Sequence, residues 1–281
     1  MPWTTTTDIE TFHTATREFL VSRPVEHSPL LTEAQHLRRH PEPDADQAYG
    51  WWTGADGAVA GAFLRGPRHP TFVTPFPEEA ADDLLDDVPL DLGVGCDVTT
   101  VDALLAAGER AGVELVPRHR MVIHRLGTPT RPAPVEGGAR LAGSGDRALL
   151  DGWFDDLMAA HPGDESDRAY VVGDPLTEGR IVLWEVDGAP VAMAGWSRPT
   201  AGMTRVSAVY APSGDPRIEV AVLAAATTAA AGVASDVLVL AAKDDLSGVS
   251  RLAALGYRAV RERVMLGARP TTDPQPPGSA R

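Results

Sequence analysis

Apolar residues recur three and four apart at Ile9, Phe12, Ala15, Phe19 and Leu20, which predicts an amphipathic helix over 7–21 with Asp8 as its cap. A second short helix is predicted over 27–39. Alternating apolar and polar positions at 48–52 and 59–64, joined by Thr53-Gly54-Ala55-Asp56-Gly57, predict a hairpin. A short strand comes next at 70–74, then an acidic helix over 77–85, a buried strand at 90–95, an amphipathic helix over 99–111 and strand residues at 113–116 and 121–126. The stretch 127–138 (GTPTRPAPVEGG) has no apolar period and is rich in Pro and Gly, so it predicts a connector.

Beyond the connector the period resumes. A short strand at 139–141 precedes a helix over 146–160, whose Leu149, Leu150, Trp153, Phe154 and Leu157 share one face. A second hairpin, 180–186 with 190–196, turns at Asp187-Gly188. The strand 205–210 then breaks at Pro212-Ser213-Gly214-Asp215-Pro216 and enters an Ala-rich helix. A strand at 237–242, a helix over 247–255 and a last strand at 257–266 complete the pattern. Residues 269–281 (RPTTDPQPPGSAR) have a disordered composition. The two halves echo each other: WWTGADGAVAGAFLRGP parallels LWEVDGAPVAMAGWSRP, and each half ends in a helix followed by a strand. Helices and strands mixed in this order predict two α/β (α+β) domains over 1–127 and 139–268, each a mixed, mostly antiparallel sheet flanked by helices.

Composition is globular, with 43% hydrophobic and 23% charged residues. A formal net charge of −14 disfavours nucleic-acid binding unless arginines such as Arg38, Arg39, Arg65 and Arg68 gather on one face. The single cysteine, Cys96, excludes an intramolecular disulfide and reads as a small buried hydrophobe. No apolar run approaches the roughly 20 residues of a membrane helix. The N-terminus has no basic-then-apolar signal pattern, so a cytoplasmic location and no membrane partner are expected. No His, Cys or carboxylate grouping reads as having metal-ligand spacing, so no metal is expected. Neither a Gly-x-Ser-x-Gly elbow nor a Gly-Lys-Ser phosphate loop is present.

The chemistry concentrates at the strand–loop–helix of 205–230. A strand feeding a helix through a short loop aims free N–H groups at the loop, where an anion can sit. Val209-Tyr210-Ala211-Pro212, together with VLVLAAKDDLSGVSRLAALGY (237–257) and its closing Leu255-Gly256-Tyr257, resembles the GNAT (GCN5-related N-acetyltransferase) superfamily over about 139–268. The first half resembles a degenerate copy of the same fold, so the whole reads as a tandem of GNAT-like domains.

The resemblance implies that the fourth and fifth strands of the second half splay at a bulge and pair with the pantetheine arm of acetyl-CoA or another acyl-CoA. The diphosphate would then sit on the start of the next helix. By this reading Ala208, Val209 and Tyr210, with Arg217, Ile218, Glu219, Val220 and Ala221, hold the donor. Asp245 stands where the family often has the Asn that reaches the pantetheine.

The family's helix start, Q/R-x-x-G-x-G/A, departs here. Pro216 and Glu219 hold the first and central positions, and only the small Ala221 survives. Leu252 replaces the tyrosine that protonates the leaving thiolate, and Ser250 substitutes only if the helix start is shifted. Tyr210 either lines the acyl pocket or packs between strands. Glu185 is either a general base acting through water or a solvated strand carboxylate, and Arg217 is either a phosphate contact or a surface charge. Trp153, Asp156 and His161 fall on or after the helix that covers the acceptor site in such folds.

The resemblance implies N-acylation of a small-molecule amine by a monomer or homodimer. The alternatives are a donor delivered as aminoacyl-tRNA or carrier-bound acyl group, and a non-catalytic binding protein that retains the fold.

Overall fold

Helix α1 (Ile9–Ser22) comes after strand β1 (Thr4–Thr6) and starts where Asp8 accepts hydrogen bonds from the backbone N–H groups of Glu10 and Thr11. Helix α2 (Ser28–Arg39) has Pro29 in its first turn, where a missing N–H costs nothing. The first hairpin is β2 (Ala48–Thr53) with β3 (Val59–Arg65), succeeded by β4 (Thr71–Val73), α3 (Ala81–Asp87), β5 (Val94–Asp97), α4 (Val101–Arg110) and β6 (Leu115–Leu126). The second half runs β7 (Gly138–Leu141), α5 (Arg147–Ala160), a π-helical segment (Ala169–Gly173) leading into α6 (Asp174–Thr177), β8 (Ile181–Val186), β9 (Ala189–Trp196), β10 (Met203–Tyr210), α7 (Pro216–Ala231), β11 (Asp236–Ala242), α8 (Leu246–Ala254) and β12 (Tyr257–Ala268). This computed structural model describes residues 3–42, 46–67, 69–88, 92–161 and 166–269.

The fold is mixed α/β with a mostly antiparallel sheet, as expected. Among the described residues its strands form one continuous sheet in the order β1-β2-β3-β4-β5-β12-β6-β11-β10-β9-β8-β7. Exchanging β1–β5 with β7–β11, and β6 with β12, returns the same order, so the sheet has an internal two-fold relation about the β6–β12 pair. The last strand of each half lies inside the other half's part of the sheet: β12 pairs with β5, and β6 pairs with β11. The two sheets expected from the sequence are thus joined, with the end strands interleaved. This pairing also explains why the residues predicted as two short strands at 113–116 and 121–126 form one. Flanked by β12 along its whole length, the backbone of β6 finds partners throughout.

Helices cover both faces. On one face of the first half, α3 and α4 enclose Trp52, Phe63, Cys96, Leu104 and Val264. On the other, α1 and α2 bury Phe12, Leu20, Leu30 and Leu37 against Leu64, Ile123, Met203 and Leu238, so these two helices seal strands of both halves. Each such side chain contributes about 1.5–3 kcal/mol relative to exposure. In the second half α7 and α8 pack over Val182, Ala194, Val206 and Val237, while α5 and the π segment cover Leu183 and Met193.

The Asp187-Gly188 turn has φ of 51° and 76°, the left-handed pair that a two-residue hairpin loop requires. The connector is pinned rather than loose at its start: Gly127 N–H donates to Gly256 O (2.9 Å) and Thr130 N–H to Leu255 O (3.1 Å). The sequence pattern does not reveal β1 or anything from the π segment to α6. It places the fifth strand at 90–95, whereas β5 spans Val94–Asp97 and residues 90 and 91 lie outside the described residues. Of the predicted tail, only Arg269 is described.

Candidate functional site at the β10–β11 opening

Strands β10 and β11 run parallel but pair over three positions only, ending at Arg205 with Leu238. Beyond that point β11 continues to Ala242 along β6, while β10 continues to Tyr210 along β9, so the two part. The β9 register jumps from Ser207 to Tyr210, leaving Ala208 and Val209 without ladder partners there. Ala208 carries the distortion, with φ of 52°. A bulge therefore frees backbone groups of 208 and 209 from the β9 ladder beside the opening. The expected splay and bulge are present at the residues from which they were expected.

The loop after β10 closes on itself. Gly214 (φ 64°) donates its N–H to Ala211 O (2.9 Å), and Asp215 caps α7 by accepting from Arg217 N–H (2.9 Å). Pro216 has no N–H to offer. Arg217 is exposed and its guanidinium grips the same Asp215 carboxylate (2.7 Å), so bonds from Arg217 hold that carboxyl below its ordinary range. The helix start therefore already carries an anion of its own. Ile218 and Val220 anchor the first turns of α7 on the sheet, Ala221 is buried, and Glu219 lies half-buried beside them.

Tyr210 ends β10 on the face covered by α5. Its hydroxyl donates to Asp156 (3.3 Å), and its ring meets Trp153 edge-on at 6.1 Å between centroids. Burial and the Asp156 charge both push the Tyr210 hydroxyl upward, which keeps its proton in place. One strand turn earlier, Arg205 donates to the hydroxyl of Tyr170 in the π segment (2.8 Å). A small cleft lined by Tyr170, Gly195, Ser197 and Ser207 lies beside this pair.

Other candidates are held elsewhere. Glu185 accepts from Arg140 (2.6 Å), which also binds Asp146, and this pair closes the edge of the sheet between β7 and β8. Asp245 is the cap of α8, accepting from Gly248 N–H and Ser247 Oγ (both 2.9 Å), and those bonds lower its pKa. Helix α8 starts at Leu246, one residue before the expected Ser247; Ser250 is exposed on it, while Leu252, two residues on and so on the opposite side, is buried. His161 turns back to Leu157 O (2.9 Å) at the end of α5, and the adjoining Pro162-Gly163-Asp164 lie outside the described residues.

The corresponding opening in the first half is filled. Strands β4 and β5 also run parallel and pair over two positions, Thr71 with Val94 and Phe72 with Gly95. Buried Arg263, from β12, donates to Val73 O (3.3 Å) and Gly95 O (2.8 Å), the carbonyls where those strands end their pairing. Burial lowers this guanidinium to about 10, still charged at neutral pH. The helical turns after β4 begin with Glu78, Glu79, Asp82 and Asp83, which repel phosphate.

The described arginines among those considered for nucleic acid are held in ion pairs. Arg38 pairs with Glu10, Arg39 with Glu178 and Arg65 with Asp46, while Arg68 lies outside the described residues. The expectation that no metal-ligand grouping exists is corrected: His36 and His40, four residues apart at the end of α2, meet Asp174 at the start of α6. The four-residue spacing of the histidines is visible in the sequence, but the carboxylate opposite them is not.

No protein-family model matches the chain, and no curated protein matches it in sequence. Solved structures do match in fold. A Drosophila protein superposes with a TM-score of 0.65 at 12% identity, over 95% of this chain and 98% of that one. A GNAT-family acetyltransferase from Colwellia psychrerythraea gives 0.62 at 9% identity, over 95% and 100%. A GCN5-related N-acetyltransferase from Sphaerobacter thermophilus gives 0.61 at 14% identity, over 95% of each chain. The chain thus has the fold of GCN5-related N-acetyltransferases over nearly its full length.

Proposed function

We propose that this GNAT-fold protein is an N-acyltransferase that moves an acyl group from acyl-CoA to the amine of a small molecule, using the β10–β11 opening. The observation that carries the reading is the combination at one place of parted parallel strands, the Ala208 bulge and the start of α7. Backbone groups at 208 and 209 would pair with the pantetheine arm, and their N–H groups would stabilise the oxyanion of the tetrahedral intermediate. The amine nitrogen attacks the thioester carbonyl, the new C–N bond forms, and the C–S bond breaks. Tyr210 would supply the proton that the thiolate takes and regain one from the nitrogen, which sheds it as the amide forms. Proximity does most of the work for a deprotonated amine, so the absence of a tyrosine at Leu252 slows the step without abolishing it. The acceptor would enter from the side of α5 and the π segment, past Tyr170 and Ser207.

A second reading keeps the opening and changes the donor. The Asp215 carboxylate occupies the helix start that a diphosphate would use, and Pro216 removes one donor from it. That favours a thioester carried without the nucleotide, on a phosphopantetheine arm of a carrier. The paired arginines of α2 give little support to an aminoacyl-tRNA donor.

Isothermal titration of the full chain with acetyl-CoA and, separately, with acetylated phosphopantetheine decides between the donors. The acyl-CoA reading expects the nucleotide-bearing donor to bind more tightly, and Arg217→Ala to weaken it. Equal affinity for the two, with Asp215→Ala selectively tightening acetyl-CoA, supports the carrier reading. No heat from either at millimolar ligand would overturn both and leave a non-catalytic GNAT-fold binding protein.

A further inference from the structure

At the junction of the two halves, α2 of the first faces the π segment and α6 of the second across a narrow cleft lined by Gln35, His36, Tyr170 and Asp174. His36 lies in the last turn of α2 and His40 is the residue that caps it. Asp167 precedes the π segment and Asp174 follows it, and each faces one of these histidines. His40 Nε2 lies 2.9 Å from Asp174 Oδ2, and His36 Nε2 lies 3.6 Å from Asp167 Oδ2. Ligand atoms of His36, His40 and Asp174 all fall within 4.8 Å of one another. The two imidazole rings are 5.0 Å apart at 38°, and the His36 ring is braced edge-on by Tyr170.

We propose that this cluster is a zinc site, closed by His36, His40, Asp174 and Asp167, that clasps the two halves together. Two histidines four residues apart, facing carboxylates from a second segment, are a way metal sites are built where elements meet. Imidazole with carboxylate suits a borderline divalent ion, and four protein ligands without an open position suit a structural role. Tetrahedral zinc bonds of about 2.0–2.2 Å set ligands about 3.3–3.6 Å apart, so side-chain rotations must draw His36, His40 and Asp174 in from within 4.8 Å, and Asp167 with them. The π segment gives a local reason for the arrangement: the extra residue in its turn re-aims Asp174 and the rest of α6, and such bulges concentrate at functional sites.

Three nearby cations share one carboxylate. Arg39 lies 3.7 Å from Asp174 but binds Glu178 at 2.7 Å, and Arg180 and Arg198 bind the same Glu178. Zinc would take the place of the hydrogen bond between His40 Nε2 and Asp174. This inference is independent of the acyl-transfer reading, because it concerns the junction and requires no donor.

The test uses the full chain stripped with a chelator, then titrated with zinc alone and with cobalt(II) alone. The expected result is one equivalent of zinc retained through gel filtration, a rise in melting temperature, and the intense visible bands of tetrahedral cobalt. His40→Gln and Asp174→Asn should each weaken zinc by about 100-fold or more, at least the loss caused by removing an outer-shell partner. His119→Gln, on β6, should leave it unchanged. His36→Gln serves the same end if either of the first variants fails to fold. Absence of retained zinc, retention undiminished in the His40 and His36 variants, or cobalt bound only with a pale octahedral spectrum would each overturn the proposal.

Discussion

Leu252 occupies the position from which the tyrosine of the resembled family acts, and it is committed wholly to packing, 4% exposed beside Val222, Leu255 and Tyr257. Putting the tyrosine back adds a ring and a hydroxyl to a filled core. Leu252→Tyr should therefore destabilise the protein by about 1–3 kcal/mol without raising acetyl transfer. Denaturant unfolding and a turnover assay run in parallel check this, and a faster, equally stable variant would contradict it. Cys96 illustrates the opposite case, in which residue type and environment agree. Burial pushes its thiol up to about 11 and its sulfur faces Val264 O, so it behaves as the small hydrophobe its apolar neighbours in the sequence suggest.

At the scale of elements, the distinctive object is β10. Its pairing with β11 lapses after Arg205, and its register with β9 slips at Ala208, whose left-handed backbone is costly for any residue with a Cβ. Alanine is the smallest residue that still bears that strain. Ala208→Gly is expected to be close to neutral in stability, since relief of strain offsets added chain entropy. Ala208→Val should lose about 1–2 kcal/mol and flatten the bulge. Thermal unfolding of the two variants reads the difference directly. If valine is tolerated as well as glycine, the bulge is not the fixed feature that donor binding needs. Helix α7 owes its start to Asp215 just as α8 owes its start to Asp245, so one residue type begins both helices.

For the molecule as a whole, the interleaving of β6 and β12 makes each half depend on the other. A fragment of residues 128–269 would lose β5 and β6, exposing an edge of β11 and leaving β12 with neither of its strand partners. It should aggregate or pair with a second copy, as light scattering would reveal; a stable monomeric fragment would show that the halves fold alone.

The junction adds an acid-sensitive tie. Burial alone would raise the Glu178 carboxyl, but hydrogen bonds from Arg39 and Arg180, with a further bond from Arg198, bring it from 4.5 down to about 2. A carboxylate with a lowered pKa in the folded state contributes stability that is complete above 4.5 and is lost as the pH falls toward about 2. Melting temperature should decline over that interval, and Glu178→Gln should decline less steeply. Identical slopes for the two proteins would assign acid sensitivity to other carboxylates, of which Asp146, also held near 2 by Arg140, is the first to test.

The elements and their order are legible in the sequence because their causes are local. The apolar period of 9–20 sets α1, Asp8, Asp215 and Asp245 set helix starts, Asp187-Gly188 sets a hairpin, and Val209-Tyr210-Ala211-Pro212 marks the end of the bulged strand. Much of the candidate site is legible for the same reason, since Ala208 to Ala221 are contiguous in the chain. Only tertiary structure decided the interleaved end strands, the filling of the first half's opening by Arg263 168 residues from Gly95, the Tyr210–Asp156 bond, and the meeting of His40 with Asp174 134 residues away. Sequence period and capping constrain a residue's neighbours within a turn or two. Which side chains meet across the sheet depends on how distant strands share hydrogen bonds, and no local pattern carries that information.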